Sequence, residues 1–270
     1  MSIAPDAALQ LKAATLSTRT VMLITGAWMH VSSWDKFRKA FDAAGFETVA
    51  PAWPGLDKGA AELRNAPIAG LDTLTMGKLV DHYARIISTL PEPPLLVGHS
   101  MGGLVVQLLL DRGLGLAGVV LSPGPVGGAL PGPTPLLSAL PVLLKGPGQT
   151  HLLSRTGFAK NFASGLPAAE LAKAYDAHVV PTATNIFYQA ALMAGTWVQP
   201  RRRKQPLLIL AAEKDRTVTP ALSRASYNIQ KAAASRTEFK LFAGRSHFLA
   251  GEPGWEEVAQ YAIGWACEVL

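Results

Sequence analysis

Six short apolar runs divide the chain, and most of them are continuous rather than alternating. Residues 20–25 read Thr-Val-Met-Leu-Ile-Thr, and comparable runs cover 94–99, 117–122 and 206–212. Continuous apolarity over so few residues fits strands buried on both faces. Residues 47–52 and 237–242 complete the set of predicted strands. Helical periodicity fills most of the gaps, over about 33–44, 73–90, 102–112 and 219–231, with a last helix at about 254–269. Strand and helix in alternation predict an α/β fold: a mainly parallel central sheet with helices on both faces. Right-handed crossovers then gather the loops after the strands at one edge, where such sheets bind ligands.

The rhythm breaks between Pro123 and Arg203, where no strand is evident. A proline- and glycine-rich exit, Ser122-Pro123-Gly124-Pro125-Val126-Gly127-Gly128, opens the segment. Helical pieces follow at about 134–145, 150–164, 167–177 and 183–194. This is too long for a connector. The division expected is a core of residues 1–123 and 204–270, with a helical cap or lid over 124–203 whose apolar residues face a pocket. The alanine-rich segment 1–19 has room for one short strand. No internal repeat is visible.

The chain has 270 residues, of which 49% are hydrophobic, enough for one large core. One cysteine, Cys267, excludes an internal disulfide framework and a multi-cysteine metal site. It falls in the last predicted helix, as packing. No basic segment followed by an apolar one marks a secretory signal, and no run reaches the length of a membrane span, so a cytoplasmic protein is expected. The net charge is +6, and Arg201-Arg202-Arg203-Lys204 supplies much of the excess. Without interleaved aromatics this run reads as a solvated loop rather than a nucleic-acid patch.

The most informative stretch is Gly98-His99-Ser100-Met101-Gly102. A strand ends in it and a helix begins after it, so Ser100 sits at the apex of a sharp turn. The glycines leave room for the close approach such a turn requires. The hydroxyl is then presented at a helix N-terminus, whose unpaired N–H groups stabilise an oxyanion.

A nucleophilic serine needs a base, and the base an orienting acid. Of the six histidines, His247 lies just past the last strand, in Gly244-Arg245-Ser246-His247-Phe248. Asp215 follows the strand at 206–212 and emerges at the same edge; Glu213 is its rival, nearer the strand end. The order Ser100, Asp215, His247 is that of an α/β-hydrolase. His99 reads as support beneath the elbow and His82 as a surface residue. His30 is open to either a pocket or a packing role, and His151 and His178 are possible substrate contacts from the insertion.

Over about residues 20–268 the chain resembles the α/β-hydrolase superfamily, in particular small bacterial serine hydrolases of esterase type. The resemblance rests on Gly26-Ala27-Trp28 after the first strand, Gly45–Gly55 around the second, the Ser100 elbow, and the Asp215 and His247 loops. Asp215-Arg216-Thr217-Val218 matches the family's Asp-x-x-Val pattern. Two departures stand out. Thr25 replaces the histidine of the common His-Gly pair, and the short N-terminus leaves the sheet one strand below the usual eight. The resemblance implies an oxyanion hole from the backbone N–H groups of Ala27 and Met101. Trp28, His30, Phe158, Phe162, Phe187 and Phe248 are candidates for the substrate pocket.

The activity expected is hydrolysis of a carboxylic ester or similar small-molecule acyl compound through an acyl-enzyme, with no metal and no organic cofactor. Perhydrolase or haloperoxidase, acyltransferase and lyase chemistry use the same triad; Phe248 stands where hydroxynitrile lyases of this fold carry lysine. A ligand-binding module on the same scaffold is the non-catalytic alternative. Oligomeric state is not legible.

Overall fold

The computed structural model describes residues 19–270. Strands β1 (Thr20–Ile24), β2 (Glu47–Val49), β3 (Leu95–His99), β4 (Ala117–Leu121), β7 (Leu207–Ala212) and β8 (Thr237–Phe242) form one sheet. Its order is β2-β1-β3-β4-β7-β8 and every pairing is parallel. The four central strands are buried throughout, which is why they read as unbroken apolar runs. Side chains alternate between two cores across the sheet. Met22, Ile24, Leu96, Val120 and Ile209 face one; Val21, Leu23, Leu95, Val97, Val119 and Leu208 face the other.

Helices α1 (Asp35–Ala43) and α9 (Trp255–Val269) cover the second face through Phe37, Phe41, Val258, Ala262 and Trp265. On the first face lie α3 (Met76–Ile87), α4 (Met101–Asp111) and α8 (Pro220–Gln230). Every residue of α4 from Met101 to Leu110 is buried. Each fully buried large aliphatic side chain there contributes about 1.5–3 kcal/mol, so the helix that carries the elbow is among the firmest parts of the fold. Cys267 lies in α9, against the second core.

The long connection from β4 to β7 holds α5 (Pro133–Leu143), α6 (Ala168–His178) and α7 (Thr184–Ala191). The expectation of helices alone there is corrected. Strands β5 (Thr150–His151) and β6 (Thr182–Ala183) pair antiparallel within it, and the helix expected at 150–164 is β5, a single turn at Arg155–Gly157 and a π-helical turn at Phe158–Phe162. Two-residue strands carry no period that a sequence pattern could reveal. Helix α2 (Ala60–Asn65) was likewise too short to read. The short strand expected within 1–19 falls outside the described residues.

The basic run is also corrected in part. Arg201, Arg202 and Lys204 are exposed, but Arg203 is buried. Its guanidinium donates to Gln230, the Gln205 carbonyl, Ser235 and Thr237. Burial lowers its pKa to about 10, so it stays charged at neutral pH and clamps the chain as it re-enters the sheet. His82, expected at the surface, is half-buried with Nε2 on the Ala52 carbonyl.

Candidate active site

Ser100 lies between β3 and α4 with φ 53° and ψ −122°. Holding a non-glycine residue there costs about 1–3 kcal/mol unless its surroundings fix it. They do. Its N–H donates to the Leu121 carbonyl at 2.9 Å, and its carbonyl accepts from Gly124 at 2.7 Å and Leu104 at 3.1 Å. The turn also demands its glycines. A Cβ on Gly102 would lie 2.5 Å from the Thr25 carbonyl oxygen and closer still to that of Ile24; one on Gly98 would lie 2.6 Å from the Gly102 carbonyl carbon.

The loop after β7 presents Asp215. Its Oδ1 accepts the N–H groups of Thr217 and Val218, each at 2.8 Å, and its Oδ2 meets His247 Nδ1 at 2.6 Å. Both side chains are fully buried. Glu213 is exposed and accepts from Gly244 instead. With Nδ1 bound to the carboxylate, His247 Nε2 is buried and has no hydrogen-bond partner among the described residues.

The His247 ring is held on two sides, by His99 at 4.7 Å and, edge to face, by Phe162 at 4.6 Å. His99 Nε2 bonds the His247 carbonyl at 2.8 Å. Burial, reinforced by the neighbouring His247, pushes the His99 pKa well below the ordinary histidine value, so His99 stays neutral and serves as a donor. Buried Glu252 anchors the same loop by accepting from the N–H and hydroxyl of Ser246.

A cavity that opens to solvent lies against Ser100. Met101 and Trp28 line it, and the backbone N–H groups of Ala27 and Met101 have no backbone partner among the described residues. Of the other pocket candidates, Phe187 lines the cavity. Phe158, Phe162 and Phe248 pack together behind His247, His30 bonds Ser32 and the Lys58 carbonyl, and none of these four reaches the cavity wall. Sequence reasoning missed Leu136, Ala139 and Leu143 of α5, which form much of the wall. Their three- and four-residue spacing, in a stretch without charge from Ser122 to Leu144, was the available signal.

His178 lies away from the cavity, with Nδ1 2.8 Å from the Ser32 hydroxyl. Burial lowers its pKa to about 4, against a partial upward pull from Asp35. The unfolded chain therefore binds the extra proton between pH 6.5 and 4, and stability falls as pH drops through that window, by about 3 kcal/mol from this residue. Urea melts at pH 7 and pH 4.5 are expected to show the loss, and His178→Asn to shrink it.

Among the described residues no group of three or more His, Cys, Asp or Glu could hold a metal ion, and no helix is long and apolar enough to cross a membrane.

A parallel sheet with a strained serine between β3 and α4, and an Asp–His pair on the loops after β7 and β8, defines an α/β-hydrolase scaffold. The chain belongs to the alpha/beta hydrolase family, whose model matches residues 21–261. No curated protein matches it by sequence. Solved structures show the same fold. A monoacylglycerol lipase from Paleococcus ferrophilus is 20% identical with a TM-score of 0.66, covering 93% of this chain and 95% of its own. A pyrethroid hydrolase from Sphingobium faniae JZ-2 is 19% identical with a TM-score of 0.66, covering 92% and 97%. Tomato methylketone synthase I, complexed with 2-tridecanone, is 15% identical with a TM-score of 0.70, covering 94% and 99%.

Proposed function

We propose that the protein hydrolyses carboxylic esters, or similar acyl compounds, with an uncharged apolar acyl group. The observation that carries this reading is the buried 2.6 Å Asp215–His247 bond, set at the same sheet edge as the strained Ser100. Ser100 Oγ attacks the carbonyl carbon and His247 Nε2 takes its proton. The carbonyl π pair moves onto oxygen, where the Ala27 and Met101 N–H groups receive it. His247 then protonates the departing alcohol, and water, activated by the same imidazole, cleaves the acyl-enzyme. Asp215 holds the imidazole tautomer throughout.

Among the described residues no charged side chain lines the cavity, which supports the choice of an apolar acyl group. Solved relatives described as a lipase and a hydrolase fit this reading. The test is turnover of p-nitrophenyl esters of increasing acyl length by the wild type and by Ser100→Ala, with labelling of Ser100 by a fluorophosphonate. Absence of both turnover and labelling would refute the proposal.

In the same reading the β4–β7 connection is a lid that sets substrate length. Phe187→Ala opens the wall of the cavity and is expected to shift the preferred acyl group to a longer one, with discrimination changing by about 1–3 kcal/mol per methylene-sized step. Phe162→Ala, which lies behind His247, is expected to lower turnover for every ester alike. Comparing kcat/KM across the ester series separates the two.

Activity is expected to rise with pH in one step, because the general base must be unprotonated to act. His99 adds no second step, because burial keeps it neutral. A pH profile of kcat/KM checks this.

A further inference from the structure

The loop that would supply the oxyanion donor is fastened to the β4–β7 connection. Trp28, directly after Ala27, has φ 65°, a left-handed conformation that a bulky residue adopts only where its surroundings hold it. Its carbonyl accepts the Val180 N–H at 2.9 Å, Met29 bridges Val179, and His30 N–H donates to the His178 carbonyl at 2.8 Å. The indole is gripped from the same side. Its ring packs on Phe187 at 4.5 Å, and Nε1–H is shared between His151 Nδ1 and the His151 carbonyl, both at 3.2 Å. Within the turn itself, Met29 N–H donates to the Gly26 carbonyl over a longer 3.3 Å.

We propose that His151 is a positioning residue for the oxyanion hole: by accepting the Trp28 indole N–H, it fixes the left-handed turn that aims the Ala27 N–H at the reacting carbonyl oxygen. The inference rests on the ester-hydrolysis reading above and adds a residue 123 positions away in sequence. His151 is buried, and burial, with Lys145 nearby, lowers its pKa. The neutral ring presents Nδ1 as acceptor and carries its proton on Nε2. β5 places it there: Thr150 and His151 pair with Ala183 and Thr182, immediately before the helix that carries Phe187. The connection is thus part of the catalytic frame as well as a cover for the pocket.

A donor displaced by less than an ångström binds the ground-state carbonyl almost as before but loses the charge that develops in the transition state. The signature is therefore a fall in kcat with little change in KM. The experiment compares His151→Phe, which keeps a ring and loses the acceptor, with His151→Asn, which keeps an acceptor near the Nδ1 position. Trp28→Phe and the double variant Trp28→Phe/His151→Phe complete the set. Each is assayed for kcat and KM on one p-nitrophenyl ester, and for inhibition by an alkyl trifluoromethyl ketone. Ser100 adds to the ketone carbon, its proton passes to His247, and the adduct places an oxyanion on the same donors.

In His151→Phe, kcat is expected to fall roughly tenfold or more with KM nearly unchanged, and the ketone to bind weaker by the same factor. His151→Asn should recover most of the loss, and the double variant should be no worse than the poorer single one. Unchanged kcat in His151→Phe, a rise confined to KM, or no advantage of Asn over Phe would overturn the proposal. If His151→Phe does not fold, Trp28→Phe decides: a parallel loss of kcat and ketone affinity supports the proposal, and retention of both overturns it. A wild type with no ester turnover and no fluorophosphonate labelling instead removes the hydrolase reading, and this inference with it.

Discussion

Ser100→Ala is expected to lower kcat roughly 10⁴-fold or more while leaving the fold in place. The hydroxyl forms no hydrogen bond to another protein group among the described residues, so its removal strands no partner. The strained backbone is held by bonds from Leu121, Gly124 and Leu104, none of which involves the side chain. Alanine therefore inherits the same turn, and only the proposed nucleophile is lost. Initial rates on a p-nitrophenyl ester, with thermal melts of both proteins, test the two halves together. Activity within a factor of a few of the wild type would mean that another group attacks the substrate.

The second large effect is expected at the Asp–His pair. His247→Ala should cost about as much as losing the serine, because the members of such a constellation act as a unit. Asp215→Asn should cost somewhat less, roughly 10³–10⁴-fold, through the tautomer. The Thr217 and Val218 N–H groups hold Oδ1, so the amide nitrogen of asparagine would take the Oδ2 position facing His247 Nδ1. Two donors cannot share that contact. The imidazole then carries its proton on Nε2, where it cannot accept one from Ser100. Glu213→Gln, at an exposed position, serves as the comparison and should change kcat little. If Glu213→Gln proved the more damaging of the two, the acid would be misassigned.

Much of this arrangement was legible before any coordinates. The central strands were readable because burial on both faces suppresses polar residues, and the elbow because sterics demand glycine at both 98 and 102. Asp215 and His247 followed from their places after β7 and β8. The pocket wall was read less well. Phe158, Phe162 and Phe248 have the character of pocket residues, but they satisfy their apolarity against one another and against His247. Composition cannot tell a cavity wall from the packing behind a buried histidine. Arg203 was misread for a related reason. A charged residue in a basic run looks solvated until the carbonyl and hydroxyl partners that accept its donors are seen, and these come from as far away as Thr237.

The connection that carries α5, α6 and α7 leaves the sheet at β4 and returns at β7, and these strands are direct neighbours. Topologically it is a cassette: it could be cut out and replaced without re-threading the sheet. The contacts at Trp28 argue against such free exchange. A transplanted cassette lacking counterparts of His151, Phe187 and Val180 would leave the turn after β1 unsupported, however well it filled the space above Ser100. The natural unit of exchange is therefore the cassette together with the Gly26–His30 loop, two segments far apart in the chain that have to be inherited, or engineered, as a pair.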